Sequence, residues 1–581
     1  MNRSHFNTML GGLLLAGTAL PAAAGAQSIS YGKASDGADD GPSAANSESD
    51  TPVAASSGGH RGRHGRARIS PYIEATQVIS AELAPTHDVL TWSTLAAGVE
   101  GGLDGRNTQA SFSVRYERRF GYGKADNGDT LSGLARASVG IIPRTVAIEA
   151  GALATRTTTD GGAALPGGNA PNSGTRLWSA YAGPTVSTHA GDVAIDAGYR
   201  IGYTEIGSGH AVRGTPLASN VDVFDHSVTQ MATFHAGVAP GEPLPIGIGV
   251  GGGWYQEDIS NLDQRVRDAN LRADVAVPVS DTVSLVGGVG YEKVRVTSRD
   301  AVRDPITGAP VLGSDGRLIT DKNSGRRIAY DTSGLTWDAG VTWRPSRRTA
   351  FEAHVGRRYG STTYYGSFGW RASRRSQLNV SVYDSIAGFG GTVNRALVEL
   401  PTDFEVSRNA VTGDINGCVT SLGNGNSTGA PAGSACLTGA LGGVRSATFR
   451  SRGIQASYSV TAGRLAMGLG AGHDRRKFIA APGTVLAAAN GVTDTNTWVS
   501  AWLTGQIDRN SSFGTFAYVD WFDSRLDGSD GTAIGANASY SRSIGHHLSA
   551  NAALSIQGIQ RSQAVDTWDA SAMLGMRYTF F

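Results

Sequence analysis

Few residues of this 581-residue chain are spaced for covalent chemistry. His354, His473, His546 and His547 lack a partnered serine or carboxylate at an interpretable spacing, so no nucleophile and base for hydrolysis can be read from them. His473-Asp474 beside Arg475 and Arg476 reads as a solvated strand end, which leaves an outer-rim hydrolase as the weakest functional class. Cys418 and Cys436 stand 18 positions apart in one Gly/Ser/Asn-rich stretch. That spacing predicts one disulfide closing a surface loop in an oxidising compartment, and two cysteines without nearby histidines do not make a metal site. Neither a metal nor a cofactor is expected. The chemistry that remains is charge. Arg115, Glu117, Arg136, Glu149, Asp196, Arg200, Arg272, Asp274, Asp338, Glu352, His354 and Arg358 occupy the polar positions of alternating segments. Both signs are present, so these groups either set the selectivity of a watery interior or pair across it and stiffen it.

The elements that must carry such groups are strands. In Gln109–Glu117, Ala110, Phe112, Val114 and Tyr116 alternate with Ser111, Ser113 and Arg115, a period of two that no helix produces. Val193, Ile195, Ala197, Tyr199, Ile201 and Tyr203 repeat it against Asp192, Asp196 and Arg200. Ala269, Leu271, Ala273, Val275 and Val277 do so against Arg272 and Asp274, and Leu335, Trp337, Ala339, Val341 and Trp343 against Asp338. Aromatic residues fall at the ends of these runs, as interfacial girdles require. Only 40% of residues are hydrophobic and 80 are glycine, which argues against a large buried core. No apolar run after the N-terminus is long enough for a helical span. With 50 Lys+Arg against 49 Asp+Glu there is no global field to gather nucleic acid, and none is expected as a partner. The expected fold class is all-β: a transmembrane antiparallel β-barrel of about 22 strands over 69–581.

Loop lengths separate a barrel from stacked β-sandwiches. Connections after even-numbered strands are short, as at Pro143-Arg144-Thr145, Pro278-Val279-Ser280-Asp281 and Thr461-Ala462-Gly463. Those after odd-numbered strands are mostly longer, as at 121–130, 158–174, 297–333, 387–447 and 474–494, with a tight hairpin near Tyr359 as the exception. The asymmetry predicts periplasmic turns on one rim, extracellular loops on the other, and both termini on the periplasmic side. A barrel this wide needs an obstruction, and 297–333 and 387–447 are the candidates to fold inward. Trp343-Arg344-Pro345-Ser346-Arg347-Arg348-Thr349 recurs as Trp370-Arg371-Ala372-Ser373-Arg374-Arg375-Ser376. The repeat sets two arginine-rich turns side by side on the periplasmic rim, each after an interfacial tryptophan; they are polar turns or a basic patch for phosphate headgroups, an acidic glycan or a docking protein.

Residues 1–26 read as a secretory signal, with Arg3 and His5 ahead of an apolar Met9–Leu20 and an Ala24-Gly25-Ala26 cleavage site. Residues 27–68 read as a disordered periplasmic arm with a basic end, Arg61, Arg63, Arg66 and Arg68. The last strand alternates Ala570, Ala572, Leu574, Met576, Tyr578 and Phe580 with polar residues and stops on Phe581. Tyr578, Phe580 and Phe581 resemble the terminal signal read by the outer-membrane barrel assembly machinery, with Phe581 one step out of register.

Two segments carry a family resemblance: Ser70-Pro71-Tyr72-Ile73-Glu74, and Trp343 to Thr349 followed by Gly356-Arg357-Arg358-Tyr359-Gly360. Both are similar to alphaproteobacterial outer-membrane barrels related to the exopolysaccharide and exosortase (PEP-CTERM) associated family. The resemblance implies an outer-membrane channel or conduit near envelope-polysaccharide export, with outer-membrane lipid and export components as partners. Some such sequences carry the name of a small preprotein-translocase accessory subunit, a single-helix inner-membrane protein, and this chain has no such helix. A largely closed scaffold barrel is the alternative expectation.

Overall fold

A computed structural model describes residues 66–157, 175–207, 223–241, 243–373, 375–421, 435–441, 444–525, 530–562 and 565–580. The strands are β1 (Arg66–Ala84), β2 (Val89–Asp104), β3 (Thr108–Tyr122), β4 (Gly128–Ile142), β5 (Val146–Thr157), β6 (Thr175–Ala190), β7 (Val193–Ile206), β8 (His226–Val238), β9 (Gly247–Ile259), β10 (Gln264–Pro278), β11 (Val283–Ser298), β12 (Arg327–Ser346), β13 (Thr349–Arg358), β14 (Ser361–Ser373) and β15 (Ser376–Ala387). An inserted unit follows, made of α1 (Phe389–Glu399), β16 (Phe404–Arg408), β17 (Ile415–Ser421), β18 (Ala435–Cys436) and α2 (Thr438–Leu441). The wall then resumes with β19 (Phe449–Ala462), β20 (Leu465–Phe478), β21 (Thr493–Gln506), β22 (Ser511–Asp523), β23 (Gly531–Ser543), β24 (Leu548–Arg561) and β25 (Thr567–Thr579).

All wall strands pair antiparallel with their chain neighbours, β15 pairing directly with β19, to give one 22-stranded sheet. The sheet closes where β1 meets β25, from Tyr72 opposite Thr579 to Ala81 opposite Ala570. Closure leaves no edge, so every strand satisfies its backbone groups within the wall, the condition for crossing hydrocarbon. The strand count agrees with the alternation, and no described helix is long and apolar enough to span a membrane.

The period of two sorts the side chains as the sequence requires. On β1, Ile73 and Ile79 are exposed on the outside while Tyr72, Glu74, Thr76 and Ser80 are buried inside. On β25, Leu574, Met576, Tyr578 and Phe580 face out. Tyr116, Tyr199, Tyr203, Trp337, Trp343, Tyr364 and Trp370 are likewise exposed on the outer face. An outward apolar surface of this extent is stable only against lipid.

One rim carries the turns 105–107, 143–145, 191–192, 279–282, 347–348, 374–375 and 463–464, with 239–246 the longest on that side. The other carries 158–174, 207–225, 299–326, 388–448 and 479–492, together with the tight hairpin 359–360. Both chain ends leave the turn rim, because β1 starts there and β25 stops there. One boundary needs correction: Arg66, Ala67 and Arg68, assigned to the arm, are paired with Asp104, Leu103 and Gly102 of β2, so the wall begins at Arg66. The signal segment, the rest of the arm, Arg374 and Phe581 lie outside the described residues.

Candidate functional site: the lumen and its internal plug

Segment 388–448 folds into the barrel as its plug. At the loop rim, α1 lies flat on the inner wall of β5 to β8. The contact is so close that a Cβ on Gly390 would sit 2.0 Å from Ser227 Oγ, and one on Gly391 2.0 Å from the Tyr255 hydroxyl. Glycine is therefore needed at both positions. The Glu257 carboxylate accepts the N–H groups of Gly388 (2.6 Å) and Gly391 (2.9 Å), satisfying donors that every helix N-terminus leaves open. Asn394 Nδ2 donates to Thr204 Oγ1 at 2.7 Å. Phe389, Val393, Leu397 and Leu400 form the apolar face of the helix and join Leu134, Leu153, Leu177, Ile206 and Phe224 in one buried cluster.

Beyond β16 the chain turns at Asn409–Asp414, deep inside the wall. Asn409 Oδ1 accepts the Val411 N–H at 2.9 Å, an Asx turn that tightens the tip. Gly413, at φ 70°, passes where a Cβ would lie 2.8 Å from Arg115 Nε and 2.9 Å from Glu117 Oε2. Asp414 is held by Arg156 of β5, with Nη2 to Oδ2 at 2.6 Å and Nε to both oxygens at 3.1 Å. Arg408 donates to Ser132 Oγ at 2.6 Å and to Ser113 O and Oγ at 3.0 Å. On the adjoining stretch of wall, Val411 joins Val78, Trp92, Ala553 and Met573 in a buried cluster. The tip thus lies against one continuous arc of wall that runs from β24 through β25, β1 and β2 to β5.

The second long segment, 299–326, forms a cover at the mouth. It is a stack of short bridges, Ala301 with Thr320, Arg303 with Pro310 and Leu312 with Leu318. Arg317 Nη2 reaches the carbonyls of Ile206 (3.0 Å) and Phe224 (3.1 Å). Asp300 Oδ1 accepts the Val485 N–H at 2.8 Å, tying this cover to the 479–492 connection.

The lumen charges are brought together, but along the wall. Arg272 of β10 reaches over Gly288 of β11 to make a bidentate pair with Asp338 of β12, both bonds 2.8 Å. A Cβ on Gly288 would lie 2.3 Å from Arg272 Nε, so the arginine lies flat only because that residue is glycine. His354 links Asp338 and Glu352 at 3.0 Å each and stacks on Tyr365 with ring centroids 4.3 Å apart. Asp274 meets Arg272 and His235, both at 3.3 Å. Arg358 joins Asp268 (2.7 Å) and Glu292 (3.2 Å), Arg115 joins Glu74 (3.1 Å) and Glu117 (3.3 Å), and Arg200 joins Glu149 (3.0 Å). Arg136 is buried on β4, and Asp196 lies opposite His235 in register. Many of these pairs bridge strands two apart, and none spans the lumen among the described residues. The expectation of pairing across the interior is corrected on that point: the wall is too wide for side chains to reach over it, and the plug fills the gap.

Sequence reading missed Glu74, Asp268 and Glu292, although each sits at an inward position of an alternating strand, and it missed Arg156, which is buried near the end of β5 out of phase with the inward Glu149. It also missed Arg408, Asp414 and helix α1, which lie where the alternation stops. Gly425-Asn426-Ser427-Thr428-Gly429 spells a nucleophile-elbow string and lies outside the described residues, with β18 rather than a helix as the next described element. The pairing of β17 with β18 sets Cys418 directly opposite Cys436.

On the turn rim Arg344, Arg347, Arg348, Arg371 and Arg375 are exposed, and the Arg371 N–H donates to the Arg348 carbonyl at 2.7 Å, so the two turns touch. At the chain end the Tyr578 and Phe580 rings stand edge to face, 5.2 Å apart.

A closed 22-stranded antiparallel wall, apolar outside and polar within, defines an outer-membrane type of β-barrel, here one that carries its obstruction between β15 and β19. No protein-family model and no curated protein matches the chain. Among solved structures, the FrpB iron transporter from Neisseria meningitidis (F5-1 variant) aligns with a TM-score of 0.40 at 11% identity, over 88% of this chain and 82% of that one. The ferric-catecholate import receptor Fiu from E. coli K12, closed form, gives 0.40 at 10% over 88% and 81%. Pseudomonas aeruginosa OccK2 (OpdF) gives 0.29 at 9% over 88% and 98%. Likenesses at this level carry no argument about what the barrel handles.

Proposed function

We propose that the chain is a self-plugged conduit of the Gram-negative outer membrane, inserted with its turn rim in the periplasm, through which polar solutes pass when segment 388–448 shifts. The observation that supports this most is the manner in which the plug is held. Its tip is fixed by a few directional polar contacts, chiefly Arg156 to Asp414 and Arg408 to Ser113 and Ser132, which can be broken and remade without unfolding the wall. The in-wall charge pairs support the same reading, because they leave the space beyond the plug facing water. Export by a secretory signal and insertion through the terminal Tyr578 and Phe580 complete the proposal.

Purified barrel in planar bilayers tests it. The wild type is expected to conduct weakly or intermittently, and a variant with 400–447 replaced by a short Gly/Ser linker to show a large, steady conductance. Heat-modifiable gel mobility checks that the variant still forms a barrel. Silence in a correctly folded plug-deleted barrel would favour the closed scaffold instead. The resemblance of the first strand and of the arginine turns supports a place near envelope-polysaccharide export. Unchanged exopolysaccharide output in a deletion strain would separate the protein from that process.

A further inference from the structure

The lumen wall is divided by chemistry. From β3 to β13 its inward positions carry the arginines, carboxylates and histidines described above. On β21 to β24, Asp520 is the one charged group at an inward position in the middle of the strands among the described residues, with Asp494 and Arg561 inward only at the loop-rim ends. In place of charge this sector carries aromatic rings. Trp498 and Trp502 lie over Gly472 and Gly468 of β20, Tyr518 over Gly535 of β23, and Phe522 over Gly531. A Cβ on those glycines would meet ring atoms at 2.6, 2.3, 2.3 and 2.6 Å respectively. Each ring therefore lies flat against the wall on a glycine floor, and with the plug docked Trp498, Tyr518 and Phe522 are buried there while Trp502 is half-buried.

Amides and hydroxyls border the rings. A narrow crevice between the plug tip and this wall is lined by Asn409 from the tip and by Phe516, Tyr518, Asn537, Ser555 and Gln557 from the wall. Nearer the mouth a second crevice reaches Asn496 and Phe522, flanked there by Arg476 and Asp494. The Tyr518 hydroxyl and Asn496 Oδ1 are buried in this strip and have no protein partner. Buried polar groups are normally satisfied, so these two stand ready for a hydroxylated ligand.

We propose that the β21 to β24 wall is a track for an uncharged saccharide chain, uncovered when the plug tip withdraws. Flat aromatic faces receive the apolar faces of sugar rings, neutral amides and hydroxyls receive their hydroxyl groups, and the near absence of charge spares a neutral chain any competition from salt. This rests on the conduit reading for its purpose, though not for its binding chemistry.

The probe is maltohexaose, titrated against tryptophan fluorescence of the detergent-solubilised full chain, with polyethylene glycol of equal size as control. Wild type and Asp414→Asn, whose tip is released, are both measured. Saturable binding by the saccharide and not by the glycol is expected in at least the released form. Trp502→Leu and Tyr518→Phe, built in that form, should bind about tenfold more weakly, the scale of one lost aromatic or hydroxyl contact. No saturable binding in either form, or unchanged binding in both track variants, overturns the track. Binding with no bilayer conductance from the plug-deleted barrel would keep the track and remove the conduit. Conductance without binding would do the reverse.

Discussion

Replacing Asp414 by asparagine isolates the contact that holds the plug tip. The side chain keeps its size and one carbonyl oxygen, while Arg156 keeps its place on β5 and loses its counter-charge. Asp414 is fully buried and Arg156 nearly so, with side-chain exposures of 0% and 8%, so water cannot replace what is lost. Removing one partner of such a buried pair costs about 3–5 kcal/mol, most of it the burden of an uncompensated charge. Arg156 still donates to the Thr412 carbonyl at 3.3 Å, which points to the lower end of that range. About 3 kcal/mol is roughly a hundredfold in the ratio of docked to released tip. Hydrogen exchange followed by mass spectrometry reads this directly, since amides of 409–414 should exchange about a hundredfold faster while those of β4 and β5 stay protected. Arg156→Ala combined with Asp414→Ala should recover part of the loss, because it removes both charges at once. Unchanged exchange at 409–414 in the asparagine variant would refute the assignment of Arg156 and Asp414 as the latch.

Other perturbations address the remaining anchors. Glu257→Gln removes the charge facing the Gly388 and Gly391 N–H groups, and should loosen α1 by about 1 kcal/mol, seen as faster proteolysis within 388–400 with heat-modifiable mobility retained. The Asp300 carboxyl is partly desolvated, but the Val485 and Ala301 N–H groups and Arg303 outweigh this and hold it below the usual range. Its contribution to the mouth cover is therefore present above pH of about 4 and lost as pH falls through its lowered value; exchange in 299–326 should rise there in the wild type and much less in Asp300→Asn. Cys418 opposite Cys436 predicts a disulfide in the exported protein, and reduction should loosen the β17 and β18 pair by up to about 3 kcal/mol; free thiols in unreduced, denatured protein would contradict it. Exposed arginines 344, 347, 348, 371 and 375 predict salt-sensitive retention of anionic phospholipid by the purified barrel, reduced when all five become glutamine.

The wall was legible because lipid on one side and water on the other impose a period of two on every strand, and no packing accident can hide it. Strand number, loop asymmetry and the inward charges all follow from that rhythm. The plug was legible only as a place where the rhythm fails. Its helix rests on Gly388, Gly390 and Gly391, residues that single-sequence propensity scores against a helix, because closeness to Ser227 and Tyr255 is a tertiary demand. Arg156 and Asp414 lie 258 positions apart, so no local pattern could join them. The glycines under Trp498, Trp502 and Tyr518 read as weak strand formers until register sets them beneath those rings.

The placement of charge bears on how the interior can be both firm and passable. Had Arg272, Asp338, His354 and Glu352 paired across the lumen, any solute would have had to break them, and the plug would have been redundant. They pair instead along the surface, over glycine, so each carboxylate is neutralised where it stands and the wall is stiffened between alternate strands. Obstruction is then delegated to a segment with its own small core and a limited set of polar latches. Such a division allows the tip to withdraw at the cost of those latches and of the Val411 contacts, because the wall's own ion pairs stay intact. It also means that mutations in the two systems should be nearly additive. Neutralising Glu352 should leave exchange at 409–414 untouched, and releasing Asp414 should leave the thermal transition of the barrel where it was.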